Sequence, residues 1–193
     1  MTLEFGSPDV VTIPSVLTPR LMLRAWRLAD VDPYLDMARH PDMSLYTSSP
    51  SRIGSVWGMT AFQIGHWALN RFGMWIVEER ATGEFLGRAG LYEEYGWPDI
   101  EVAWTVRRDR WGQGIATEAG AAALEFAFTE VCRERVISII HPENKGSIRV
   151  AEKLGLALAE GPVDRDGEPR NIYAITREGW AGRQEVGTPS GTS

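Results

Sequence analysis

Cysteine is nearly missing: in 193 residues only Cys132 occurs. An internal disulfide has no second partner, and nothing in the cysteine usage points to secretion. Long apolar runs are missing too, and no stretch approaches the ~18 residues of a membrane span. The opening MTLEFGSPDVVTIP lacks a basic start followed by an apolar core, so it does not read as a secretory signal. The expected compartment is the cytoplasm. Positive charge is in deficit, with 20 Lys and Arg against 26 Asp and Glu, a net charge of −6. A dedicated nucleic-acid binder would be strongly basic, so neither nucleic acid nor membrane is an expected partner. Internal repeats and linker-like stretches are also absent. What remains is the composition of a globular chain, 44% hydrophobic and 24% charged, long enough for one domain with a real core.

Both ends read as tails. GSPDVVTIPS carries two prolines and no helical period, and GRQEVGTPSGTS is too polar to order itself. One domain is expected over 16–180, with flexible tails at 1–15 and 181–193. RLMLRAWRL alternates as a first strand, and Asp30 can cap a helix over DVDPYLDMARH. SRIGSVWGMTAFQIGHWALNRF is a second helical region, with Trp57, Ala61, Ile64, Ala68 and Phe72 on its apolar side. MWIVEE, FLGRAGLYEE and IEVAWTVRR follow as closely connected strands, which implies antiparallel pairing. A helix over about Ala116 to Val131, the strand RVISIIH and the helix NKGSIRVAEKLG come next, the last stopped by Gly155. LALAEG and RNIYAIT are the closing strands. A meander running into strand–helix–strand crossovers is mixed α+β.

Leading from the strand IEVAWTVRR into the third helical pattern is VRRDRWGQGIATEAG. Gly112 and Gly114 permit backbone angles closed to other residues and let an anion approach the chain. The amides of Ile115 to Thr117 open a helix, where the dipole favours negative charge. Arg107, Arg108 and Arg110 add positive charge. The pattern fits a diphosphate cradle, and it fits equally a glycine-rich turn with solvated arginines. A Walker loop is excluded, because Gly-Ile-Ala stands where Gly-Lys-Ser/Thr is required. A dinucleotide fingerprint is excluded by the missing third glycine.

The segment Trp111-Gly112-Gln113-Gly114-Ile115-Ala116 resembles the coenzyme-binding loop of the GNAT N-acyltransferase superfamily, Arg/Gln-x-x-Gly-x-Gly/Ala, with Trp111 departing from the first place. Tryptophan followed by GQGIATEA is similar to the branch of ribosomal-protein N-terminal acetyltransferases (RimJ/RimL type). LTPRLMLRAWRLAD, IEVAWTV, NKGSIRVAEKLGL and IYAITREGW resemble further stretches of that branch, in its order, from about Leu17 to Trp180. The resemblance implies a central, mostly antiparallel twisted sheet of about seven strands flanked by helices, with a V-shaped opening between two parallel central strands. It implies acetyl-CoA as co-substrate, no metal, and transfer of the acetyl group to a primary amine by direct attack in a ternary complex. Homodimers are common in the branch.

Carried over residue by residue, backbone near Val106 and Arg108 would pair with pantetheine. Amides of Gly112, Gln113, Gly114, Ile115, Ala116 and Thr117 would hold the diphosphate, and Asn144 and Ser147 would reach the thioester end. Asn144 also suits a helix N-cap. Attack requires a neutral amine, and Glu101, opening the central strand, is the expected base, with Glu93 and Glu94 behind it. Many members use a tyrosine seven residues after the asparagine as acid. Here that residue is Ala151, which leaves Ser147 as the expected proton donor. Tyr46, Trp75 and Glu94 are expected toward the acceptor, and the acidic residues Glu93, Glu94 and Asp99 suggest a cationic one. Two other readings share the fold: an acyl-CoA-sensing module without turnover, and a transferase of another acyl group such as succinyl.

Overall fold

A computed structural model describes residues 11–46, 53–165 and 167–187. The chain builds one eight-stranded sheet: β1 (Val16–Leu17), β2 (Leu21–Arg24), β3 (Met74–Glu79), β4 (Phe85–Tyr92), β5 (Glu101–Val106), β6 (Arg135–Ile140), β7 (Ala157–Arg165) and β8 (Glu168–Thr176). The spatial order is β1-β2-β3-β4-β5-β6-β8-β7, antiparallel throughout except for β5 and β6, which run parallel. Helices α1 (Val31–Ala38) and α2 (Ile53–Asn70) precede β3; α3 (Ile115–Thr129) links β5 to β6; α4 (Lys145–Leu154) follows β6; α5 (Arg177–Gly187) closes the described chain. None of the described helices is long and apolar enough to cross a membrane.

The strand beyond the expected seven is β1. Two residues are too short to show alternation, yet Val16 and Leu17 pair with Leu23 and Met22. The larger core packs β2 to β6 and β8 against α3 and α4 through Val77, Leu91, Val102, Ala123, Leu124, Val136 and Leu154. A second core beneath α1 and α2 gathers Trp26, Tyr34, Leu35, Val56, Ile76 and Phe85.

Three expectations need correction. The chain at 11–15 is not a free tail: Ile13 packs on the larger core and the Pro14 carbonyl accepts the Trp75 indole N–H at 2.7 Å. Beyond Trp180 the chain stays helical to Gly187, so 181–187 is no tail either. Residues 1–10 and 188–193 lie outside the described residues. Finally, α2 buries a side turned about 100° from the one expected, although Phe72 just beyond it is buried as expected. Val56, Thr60, Gln63 and Trp67 are buried, while Trp57 and Ile64 are 58% and 40% exposed. The aromatic stripe outweighs the buried one on hydropathy alone. The buried side tolerates its polar residues because Thr60 bonds the Val56 carbonyl and Gln63 lines a cavity, which a hydrophobic pattern cannot register.

Candidate active site

The two parallel strands part almost at once. Glu101 and Ile137 form their single registered pair, with the Ile137 amide donating to the Ile100 carbonyl at 2.9 Å. At the next position along β6 the Ile139 amide donates instead to the Glu101 carboxylate, 3.1 Å to Oε1. The carboxylate therefore closes the point of the fork where backbone pairing stops. Oε2 accepts the Trp97 indole N–H at 3.1 Å, and Trp97 is covered by the Arg165 guanidinium, 4.2 Å from its ring centroid. Each oxygen retains a free lone pair. Burial pushes the Glu101 carboxyl up from 4.5 to about 7, against the pull of these two hydrogen bonds and the positive charges of Arg165 and Arg88.

Beyond the fork, β5 has an open edge. Arg107 donates to Leu86 in β4, so by alternation the backbone groups of Trp104 and Val106 face the gap left by β6. One of them is already used: the Val106 carbonyl accepts the Trp111 indole N–H at 2.6 Å. Trp111, the residue that departs from the loop pattern, thus ties the loop to the end of β5.

A cavity of about 530 Å³ runs from this edge along the glycine loop and α4. Gly112 and Gly114 take left-handed angles, φ +77° and +80°. Gly114 is the N-cap of α3 without a side-chain cap, and the first intrahelical bond is Glu118 N–H to the Gly114 carbonyl at 2.9 Å. Consequently none of the amides from Gly112 to Thr117 has an acceptor among the described residues. These donors at the positive end of a fifteen-residue helix suit the diphosphate of a coenzyme A.

Only part of the positive charge expected here faces this cavity. Arg107 pairs with Glu84 and Asp109, and Arg110 with Glu84. Arg108 pairs with Asp42, stacks on Trp111, and does not line the cavity. Gln113 turns its carbonyl to Arg20 and lies outside the lining as well. Arg110 lines it while paired with Glu84, and Lys145, Arg149 and Lys153, all from α4, line it too; Arg149 and Lys153 form no ion pair among the described residues.

Sequence reading missed the brace behind the loop. Glu118 accepts from the Thr18 hydroxyl at 2.6 Å, the Arg20 amide at 2.9 Å and the Arg20 Nε at 2.6 Å, and Arg20 Nη1 donates to the Gln113 carbonyl at 2.9 Å. Its members lie about a hundred residues apart, so no local pattern announces it. Burial alone would raise the Glu118 carboxyl, but the Thr18 and Arg20 hydrogen bonds and the Arg20 charge outweigh it and hold the group below its ordinary 4.5. A lowered value means stabilisation that is complete above 4.5 and lost as pH falls through the folded-state value. Glu118→Gln is expected to cost about 1–2 kcal/mol at neutral pH and almost nothing near pH 2, read from urea unfolding at both pH values.

A second cavity of about 600 Å³ opens on the other side of the fork, lined by Gln63, Arg88, Tyr92, Trp97 and Glu101 among others. The two cavities share Tyr46, Trp104, Thr105, Asn144 and Ser147. Asn144 caps α4, its Oδ1 accepting the Ser147 amide at 3.1 Å. The Ser147 hydroxyl has no hydrogen-bond partner among the described residues. Ala151 is fully buried, so that position offers no proton. Of the residues expected toward the acceptor, Tyr46 stands at the junction. Trp75 does not: it is fully buried between Trp67 and Phe126. Glu94 lines neither cavity and accepts the Tyr92 hydroxyl at 2.7 Å.

The sequence matches the family profile of the acetyltransferase (GNAT) domain over residues 20–157. The chain belongs to this family. It is 40% identical over 102 residues to YkkB of Bacillus subtilis, a stretch that is 52% of this chain and 59% of that protein. It is 32% identical over 101 residues to YnaD of the same organism, again 59% of that protein. The chain thus spans about three fifths of the length of these two relatives. Among solved structures, an acetyltransferase from Agrobacterium tumefaciens superposes with a TM-score of 0.76 at 28% identity, over 91% of this chain and 98% of that one.

Proposed function

We propose that this chain is an acetyl-CoA-dependent N-acetyltransferase that works by direct transfer to a primary amine. The observation that carries the reading is the meeting of two cavities at the β5/β6 fork, unpaired loop amides on one side and the Glu101 carboxylate on the other. A RimJ from Mycobacterium smegmatis bound to a CoA disulfide shares the fold at a TM-score of 0.68 and 21% identity, which supports a coenzyme in such a cleft.

Bound acetyl-CoA supplies a thioester carbonyl and a thiol of reference pKa ~8.5 as leaving group. The amides from Gly112 to Thr117, with Lys145, Arg149 and Lys153, hold its diphosphate, and the free edge at Trp104 and Val106 orients its arm. Glu101 takes the proton from the acceptor ammonium. For an α-ammonium of pKa ~8, transfer to a carboxylate at about 7 costs about 1.4 kcal/mol, against roughly 5 kcal/mol for an ordinary carboxylate. Burial of Glu101 is therefore what makes it an effective base at neutral pH. Ser147 and Asn144 stand at the junction, where the Ser147 hydroxyl gives the departing sulfur a proton.

The test is acceptor-dependent thiol release from acetyl-CoA over an amine panel, with the acetylated product identified by mass spectrometry. Coenzyme binding without acceptor-dependent thiol would make the chain a sensing module instead. Faster release from succinyl-CoA would reassign the acyl group.

A further inference from the structure

The acceptor cavity holds a positive charge that proton removal and coenzyme binding leave unused. Arg88 lies in the middle of the sheet, paired in register with Ile76 of β3 and Thr105 of β5. Its guanidinium stands 5.8 Å from the Tyr34 ring centroid, and Nη1 reaches only the Met59 sulfur at 3.6 Å. Nε is buried and has no hydrogen-bond partner among the described residues. Arg24, Arg107, Arg108, Arg110, Arg133 and Arg135 each meet a carboxylate, whereas Arg88 meets none among the described residues. Gln63 is only 2% exposed, lines the same cavity, and its Oε1, an acceptor, is also without a partner among the described residues. A guanidinium Nε–H and an amide oxygen shut off from water without a partner are unfavourable on their own. The guanidinium calls for an anion with hydrogen-bonding oxygens, and the Gln63 oxygen for a donor.

The strand register fixes where that anion sits relative to the base. Arg88 faces Thr105 and Tyr92 faces Glu101, with Gly90 and Ala103 between them. Cation and base thus occupy one face of neighbouring strands, four residues apart, about 13 Å along the backbone before side-chain reach is subtracted. Gly90 and Ala103 leave the floor between them low. Phe62, Tyr92 and Trp97 line the surrounding space. The acidic groups that suggested a cationic acceptor are occupied elsewhere: Glu93 pairs with Arg133, Asp99 with Arg135, and Glu94 binds Tyr92. Neither cavity is lined by Glu93, Glu94 or Asp99.

We infer that the acceptor is a small amino acid-like molecule, whose carboxylate is held by Arg88 while its amine is presented to Glu101. A guanidinium fork matches a carboxylate with two parallel hydrogen bonds. This specificity rests on the acetyl-transfer reading of the same cleft. In the reaction the ammonium gives one proton to Glu101, the nitrogen lone pair forms the C–N bond, and the C–S bond breaks. The sulfur leaves with its electron pair and is protonated. The products are the N-acetyl amino carboxylate, the thiol and one released proton.

The experiment compares α-amino acids, their carboxamides and the corresponding amines lacking the carboxyl group, by thiol release in the wild-type chain. Carboxylate-bearing acceptors are expected to exceed their carboxamides at least tenfold in kcat/KM. Arg88→Met is expected to raise KM for the carboxylate acceptor tenfold or more and to leave the carboxamide within twofold, with Arg88→Lys partly restoring binding. Wild-type preference for carboxamides, polyamines or peptide N-termini would overturn the inference, and so would an equal loss for both acceptors in Arg88→Met. The wild-type comparison stands even where a variant fails to fold. A second arm needs no turnover: N-acetyl amino acids and their carboxamides are titrated calorimetrically into the CoA-saturated chain. Carboxylate-selective binding without any transfer would defeat the transferase reading and keep the Arg88 anchor. Transfer without carboxylate selectivity, or the absence of carboxylate binding, would defeat the anchor.

Discussion

Glu101→Gln is expected to lower kcat by 10²–10⁴-fold, the range that removal of a general base produces, while the Kd for acetyl-CoA changes less than threefold. The separation follows from geometry. Glu101 lines the acceptor cavity and not the coenzyme cavity, and the coenzyme donors lie beyond Val106 on the other side of the fork. Glutamine keeps an oxygen for the Ile139 amide, so the fork stays closed. It loses the acceptor for the Trp97 indole, a cost of about 1–2 kcal/mol that circular dichroism melts would record.

The pH dependence separates a base from a structural plug. A base must be ionised, so wild-type kcat/KM is expected to fall with unit slope below about pH 7, the raised value of Glu101. The Gln variant should lack that limb. Stability moves in the opposite sense. A carboxyl raised from 4.5 to about 7 favours the folded state at low pH and loses that contribution as pH rises through 7. Wild type should therefore weaken between pH 4.5 and 7 by up to about 3 kcal/mol, and Glu101→Gln should not. A Gln variant with wild-type turnover across this range would remove Glu101 from the reaction and leave it only the fork.

Local signals carried much of the fold. β3 was legible because an unbroken apolar run lies between Gly73 and the Thr82-Gly83 turn. Asn144 and Gly155 were legible as the two ends of α4, since a side-chain cap and a left-handed glycine each have a short-range signature. Long-range chemistry was not. Arg24, inside an alternating strand pattern, is buried against Asp30 and Glu78, the latter 54 positions away. The three arginines of the glycine corner read as free charge because their carboxylates, Asp42 and Glu84, come from other parts of the chain. Arg88, inside an ordinary strand pattern, gave no hint that its charge would be left unpaired. Charge type is written in the sequence, but whether a charge is neutralised depends on which distant strand or helix arrives beside it.

Gly114→Val is expected to weaken acetyl-CoA binding by roughly 10- to 150-fold, the loss of one hydrogen bond to a charged diphosphate at about 1.5–3 kcal/mol. Gly114 has φ +80°, a region that a β-branched residue enters only with strain. Its Cβ would come within 3.3 Å of Arg20 Nη2, on the side of the brace. The new side chain therefore acts by pushing against the guanidinium that holds Gln113, which displaces the amides aimed at the diphosphate. Gly112, at φ +77°, has open space around a Cβ, so Gly112→Ala should cost only the strain, about 1–2 kcal/mol of stability. A double-mutant cycle tests the route. If the collision with Arg20 is responsible, Gly114→Val should cost less binding energy in an Arg20→Ala background than in wild type, a coupling of 0.5 kcal/mol or more. Calorimetric titration of acetyl-CoA into the four proteins gives the answer. Undiminished affinity in Gly114→Val would mean that the diphosphate is held elsewhere, and the coenzyme cleft would have to be moved away from the start of α3.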